Sequence, residues 1–254
     1  MAALATRRRR GLQPPPSLIT VGDGPFAEIG HEFLRYFIDL GGLRPDERVL
    51  EIGCGVGRMA IPLTTYLSGK GSYEGFDIVR AEISWCQRNI TPRFENFHFH
   101  HVDVFNGQAN PKGRLKADSF RFPLGGGQFD FVFLTSVFTH MLLDDIENYL
   151  RETSRLLKSG GRLLATYFLL DEPTRERLRR TNSRFRYPHD SGLVIDAKMP
   201  EASIAHEEGR IRALHETCGL RVQEPVRYGS WSGRARFLSS QDIIVAGKAH
   251  DRQE

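Results

Sequence analysis

Apolar positions along the chain follow two alternating periods. Phe26, Ile29, Phe33, Phe37 and Leu40 recur at helical spacing, and Gly41-Gly42 closes that helix. Val49-Leu50-Glu51-Ile52 is a short apolar run that ends in glycines at alternate positions, Gly53, Gly55 and Gly57. From Arg58 onward Met59, Ala60, Ile61 and Leu63 suit a helix. The same alternation then predicts a strand over 72–78, a helix over 80–90 and a strand over 97–104. After an irregular stretch at 106–128 come a strand over 129–135, a helix over 143–157 and a strand over 162–168. Leu143, Ile146, Leu150 and Leu157 form the apolar face of the fourth helix, and Gly160-Gly161 is expected to end it.

Strands alternating with helices from residue 48 to 168 describe an α/β protein with a doubly wound sheet and right-handed connections. A further helix is expected at 203–217, with strands at about 220–228 and 241–246. That makes seven strands, with two irregular insertions at about 169–202 and 228–240. Ligands of such sheets bind at the carboxyl ends of the strands. Glu51 to Arg58, Asp77, Asp103 or Asp118, and Thr135 all fall there.

The glycine spacing is Glu-x-Gly-x-Gly-x-Gly. It matches neither the dinucleotide pattern G-x-G-x-x-G nor a P-loop, which disfavours an NAD(P) oxidoreductase. Asp77 ends the second strand about 20 residues after the last glycine, where a carboxylate can accept from both hydroxyls of a ribose. The plainer alternative is that it caps the following helix.

These residues together resemble the class I S-adenosylmethionine (SAM) methyltransferases. Phe129-Asp130-Phe131-Val132 is similar to the family's F-D-x-V segment. Leu156 to Leu163 resembles its L-K-P-G-G segment, with Ser159 in place of proline. Ala117 to Pro123 is similar to the segment that contacts adenine. The resemblance covers about residues 25–249 and implies a Rossmann-like sheet, mostly parallel, with an antiparallel C-terminal strand. It implies SAM as cofactor, with Glu51, Gly53, Cys54, Gly55, Asp77, Ile78, Asp103, Asp118 and Thr135 as the residues around it. Cys54 would serve through its backbone. Asp103 and Asp118 compete for adenine, with Asp118 favoured by its distance from Pro123. The N-terminal helix would cover the cofactor, with Phe26 and Ile29 at its edge.

The reaction implied is an in-line displacement at a methyl carbon, in which the protein positions the partners and removes a proton where the acceptor needs it. His140, just beyond the fourth strand, is the candidate base. An [N/D]-P-P-[Y/F] motif is absent after that strand, which argues against methylation of nucleic-acid adenine. The expected acceptor is a small molecule, a sugar or other polyhydroxylated compound. The arginines at 175–186 raise the expectation of a carboxylate or phosphate on it. A SAM-binding or partner-binding protein without methyl transfer is the alternative.

Composition changes this picture little. With 254 residues, 40% of them hydrophobic and 26% charged, one domain over 20–254 is expected behind a flexible tail at 1–19. Arg7 to Arg10 account for the formal charge of +4, so the basic balance is no argument for a nucleic-acid partner. No run approaches the ~20 apolar residues of a membrane span, and the N-terminus lacks the apolar core of a signal peptide. Cys54, Cys86 and Cys218 are isolated, as expected of reduced thiols in the cytoplasm. His98, His100 and His101 alternate between faces with no completing ligand, so no metal is expected.

Overall fold

The computed structural model describes residues 12–19, 24–181, 183–190 and 192–249. The arginine run at 7–10 lies outside them. Within the tail, Leu12 and Pro14 are buried and Pro16–Leu18 form a 3-10 turn, so residues 12–19 are docked where a free tail was expected. The chain divides into two compact units, one ending at Val102 and the other beginning at Asp103.

The first unit holds helix α1 (Phe26–Asp39), strand β1 (Arg48–Ile52), helix α2 (Ala60–Tyr66), strand β2 (Ser72–Asp77), helix α3 (Arg80–Asn89) and strand β3 (Phe97–His101). Strands β1 and β2 pair in parallel, as do β2 and β3, with Glu51 opposite Gly75 and Asp77 opposite His101. Val49, Leu50, Tyr73, Phe76, Phe97 and Phe99 are buried, and Tyr73 stacks on Phe97 at 5.0 Å. The third strand stops at His101, short of the expected Val104.

Helix α1 packs closely on the residues that open α2. A Cβ at Gly30 would lie 2.5 Å from the Arg58 carbonyl oxygen. Gly30→Ala should gain up to about 1 kcal/mol of helix propensity. It should lose more, about 1–3 kcal/mol, because the obstacle is backbone and cannot rotate away. Chemical denaturation is expected to show a net loss of stability, and a variant as stable as wild type would contradict this packing.

The second unit holds strand β4 (Phe129–Leu134), helix α4 (Leu143–Leu156) and strand β5 (Leu157–Tyr167). The short strand β6 (Leu169–Leu170), helix α5 (Glu172–Arg180), and strands β7 (Tyr187–His189), β8 (Gly192–Val194) and β9 (Ile204–Glu207) follow. Helix α6 (Glu208–Thr217) and strands β10 (Leu220–Arg227) and β11 (Asp242–Lys248) complete it. The large sheet has seven strands in the order β10-β11-β5-β4-β1-β2-β3. The β4–β5 pair is parallel, and β11 runs antiparallel to both β5 and β10. This is the Rossmann-like α/β fold with an antiparallel C-terminal strand.

Three expectations need correction here. The fourth helix ends at Leu156, and Gly160-Gly161 belongs to β5. Gly160, at φ +73°, lies where the β4–β5 register slips between Leu157 and Arg162, so it serves a bulge and not a helix cap. Lys158 clamps this stretch to β4 through both oxygens of Asp130, at 2.6 and 2.7 Å. The insertion at 169–202 is also not loop alone. It supplies α5, β7 and β8 and most of a second sheet, ordered β6-β9-β8-β7, over a small core of Phe168, Leu170, Leu178, Phe185 and Ala205. Ile204, expected in a helix, lies in β9, and α6 begins only at Glu208.

Candidate functional site

The turn after β1 is a glycine structure by necessity. Gly53, Gly55 and Gly57 have φ values of +82°, +51° and +81°, in the left-handed region that side chains resist. The Gly53 and Cys54 amides both donate to the Phe76 carbonyl, at 2.8 and 3.0 Å, which fastens the turn to β2. Gly57 donates to the Cys54 carbonyl at 2.9 Å. Both backbone polar groups of Cys54 thus hold the turn together, and its buried thiol has its pKa pushed well up by burial and by Asp77.

Asp77 ends β2 as expected. Its Oδ2 accepts from the Gly55 amide at 2.7 Å and its Oδ1 from the Val79 amide at 2.8 Å. The carboxylate therefore ties the glycine turn to the β2–α3 connection. Val79, not Asp77, is the cap residue of α3. Ile78, next in the chain, accepts at its carbonyl from His101 Nε2 at 3.2 Å.

Glu51 is 1% exposed and takes a short hydrogen bond from the Tyr73 hydroxyl. Burial raises its pKa to about 8. Asp77 pushes the same way, while the Tyr73 bond and Arg58 oppose. Glu82 is buried too, and its Oε2 would meet a Cβ at Gly55 at 3.0 Å. A Cβ at Gly75 would lie 2.8 Å from the Tyr73 hydroxyl, so that glycine protects the Glu51–Tyr73 pair. Glu51, Asp77 and Glu82 thus surround the turn with carboxyl groups, balanced in part by Arg58, which also lies 5.3 Å from the Phe26 ring centroid. Glu51 is mostly protonated at neutral pH in the ligand-free protein, and a cation bound beside it would favour its ionised form. SAM, with its sulfonium and ammonium charges and its ribose diol, fits this donor set. Beside it, Leu12, Phe26, His31, Arg58, Ile61 and Pro62 line a cavity of about 230 Å³.

In the second unit, Asp103 accepts from Arg114 Nε at 2.6 Å. Asp118 is exposed, on a 3-10 turn pinned to α4 by Asn148, which donates to the carbonyls of Ala117 and Phe120 at 2.8 Å. The Phe122 amide in that segment donates to Glu152 at 2.9 Å. Phe120 and Phe122 are buried, with Phe122 against Tyr149. The 117–124 stretch is therefore built to pack on α4.

Thr135, half-buried, leads from β4 into Ser136, whose φ of +59° is unusual for a residue with a side chain. His140 follows, with Nδ1 donating to the Glu201 carbonyl at 2.9 Å. Burial, the largest influence, lowers its pKa, so the ring is neutral and Nε2 is the basic nitrogen.

The arginines at 175–180 have partners both inside and outside the first insertion. Arg175 pairs with Glu207, Arg179 with Glu172 and Arg180 with Glu176, and Arg177 donates to the Ser232 carbonyl. The sequence did not point to Asp242. Its buried carboxylate accepts from Leu169 N at 2.7 Å, Gly229 N at 2.6 Å and Trp231 Nε1 at 2.7 Å, joining the start of one insertion to the other. An acidic residue opening an otherwise apolar strand was the available signal. Among the described residues, no cluster of three or more His, Cys, Asp or Glu could hold a metal ion, and no helix is long and apolar enough to cross a membrane.

Residues 26–204 match the family model described as a methyltransferase domain. The chain is 28% identical over 132 residues to the arsenite methyltransferase of Aquipseudomonas alcaligenes, covering 52% of this chain but only 36% of that protein. It is 28% identical over 134 residues to a probable cobalt-precorrin-6B C(15)-methyltransferase of Thermoplasma acidophilum, covering 51% of this chain and 58% of the other. The match thus spans less than two thirds of either relative. In fold, it is similar to the magnesium protoporphyrin IX methyltransferase of Synechocystis PCC 6803, solved with bound S-adenosylhomocysteine (SAH). The TM-score is 0.57 at 15% identity, covering 97% of this chain and 95% of the other.

Proposed function

The chain belongs to the methyltransferase-domain family, and we propose that it uses SAM to methylate a hydroxyl of a small acceptor such as a sugar or polyhydroxylated compound. When bound, SAM supplies an electrophilic methyl group on a cationic sulfur. The residues that would hold it are Glu51 and Asp77 around the turn made by Gly53, Cys54 and Gly55, with Ile78 next to Asp77. Asp77 would take the ribose diol and Glu51 the cationic end. Of the two candidates for adenine, Asp118 has an exposed carboxylate, whereas that of Asp103 is paired with Arg114.

The observation that carries oxygen methylation is the state of His140. A hydroxyl must lose its proton as the methyl is transferred, and a neutral imidazole with its Nδ1 proton fixed to a carbonyl offers Nε2 as the base. His140→Ala is expected to lower kcat by about 10²–10⁴ with SAM affinity unchanged. Radiolabelled methyl transfer and equilibrium binding read the two effects separately. Full turnover in the variant would remove the base assignment.

A further inference from the structure

We propose that Ser136 and Gln241 form a pair that positions a neutral hydroxyl group of the acceptor. This inference rests on the methyl-transfer reading above and adds residues to it.

Ser136 lies two residues beyond the end of β4, at the edge where a doubly wound sheet binds its ligands. Its left-handed backbone is held from the neighbouring strand, because its amide donates to the buried Thr166 hydroxyl on β5 at 2.7 Å. Glycine would adopt this conformation without strain, so a serine here points to a use for the side chain. Its Oγ lies 3.0 Å from Gln241 Nε2 and 3.2 Å from Gln241 Oε1.

Gln241 is fixed as firmly. It precedes β11, where Asp242 is paired with Tyr167 at the end of β5. A Cβ at Gly229 would lie 2.5 Å from the Gln241 carbonyl carbon, and the three bonds to Asp242 lock the next residue. Both side chains are nevertheless only half-buried. A serine hydroxyl and a glutamine amide can each donate and accept. After one bond between them, a donor and an acceptor remain side by side. That combination matches a hydroxyl and carries no charge to select a carboxylate or an ammonium.

The test uses the full chain, loaded with SAH and labelled with nitrogen-15. It is titrated separately with phenol, benzoate and benzylamine while the Gln241 side-chain amide resonances are followed. Phenol is expected to give a saturable shift there, and the charged analogues none. Gln241→Leu and Ser136→Ala should weaken the phenol response at least tenfold, read for the former at the Ser136 amide. Ser136→Gly should raise the denaturation midpoint by removing strain, yet lose the phenol response. A Ser136→Gly protein that is more stable and still responds to phenol would show a merely structural serine and overturn the proposal. So would a wild type that binds SAH but shows no phenol shift at either residue. A folded wild type that does not bind SAH would instead remove the methyl-transfer reading, and this inference with it.

Discussion

At pH 9 the Glu51→Gln variant is expected to melt well above the wild type, while at pH 5 the two melt together. Glu51 is fully buried and its pKa rises from the usual 4.5 to about 8 in the folded protein. The native state therefore binds this proton more tightly than the unfolded chain does. Stability from that proton is complete below about pH 4.5 and is lost as pH rises toward about 8. The upper limit of the loss is ~4–5 kcal/mol. Glutamine keeps the shape and the acceptor for Tyr73 but cannot ionise, so its curve lacks this slope. The acid limb should survive in both proteins. His206 and His215 are buried, with pKa values lowered to about 4 and about 3. A depressed histidine contributes stability above about 6.5 that is lost as pH falls. Differential scanning fluorimetry of the ligand-free proteins from pH 4 to 9 checks this. Parallel curves would mean that Glu51 titrates normally. A side chain that lowers stability at neutral pH and is still present is explained by a ligand that needs its negative charge.

Asp77→Asn should lower SAM affinity by about 10²-fold. The carboxylate is already oriented by two backbone amides, so its remaining lone pairs face a ligand at no further ordering cost. A hydrogen bond to a charged group contributes about 1.5–3 kcal/mol, and a ribose diol offers two such bonds. Asparagine retains one accepting oxygen and the side-chain volume, but its amide must face either a ribose hydroxyl or the Gly55 or Val79 amide. Equilibrium dialysis of labelled SAM measures the loss. Unchanged affinity in a folded variant would move the ribose elsewhere.

The strands that carry the proposed cofactor residues were legible because burial on both faces leaves apolar runs. The turn was legible because only glycine suits three successive left-handed positions at alternate residues. The Glu51–Tyr73 pair was not, since the partners are 22 residues apart and meet only through the β1–β2 register. The second sheet escaped because β7 and β8 are three residues each and β7, Tyr187-Pro188-His189, has no apolar alternation. The role of Gly160 depended on a bulge, and a glycine pair after a helical run looks the same whether it caps the helix or bends the next strand. Ser136, Gln241 and Asp242 gain their meaning from contacts across 30 to more than 100 residues, which spacing does not report.

The central claim is that the acidic glycine turn holds SAM. Calorimetric titration of the wild-type protein with SAM, and separately with NADH, tests it directly. Micromolar SAM binding and no heat from NADH is the expected result. A folded protein that binds NADH and not SAM would contradict the account.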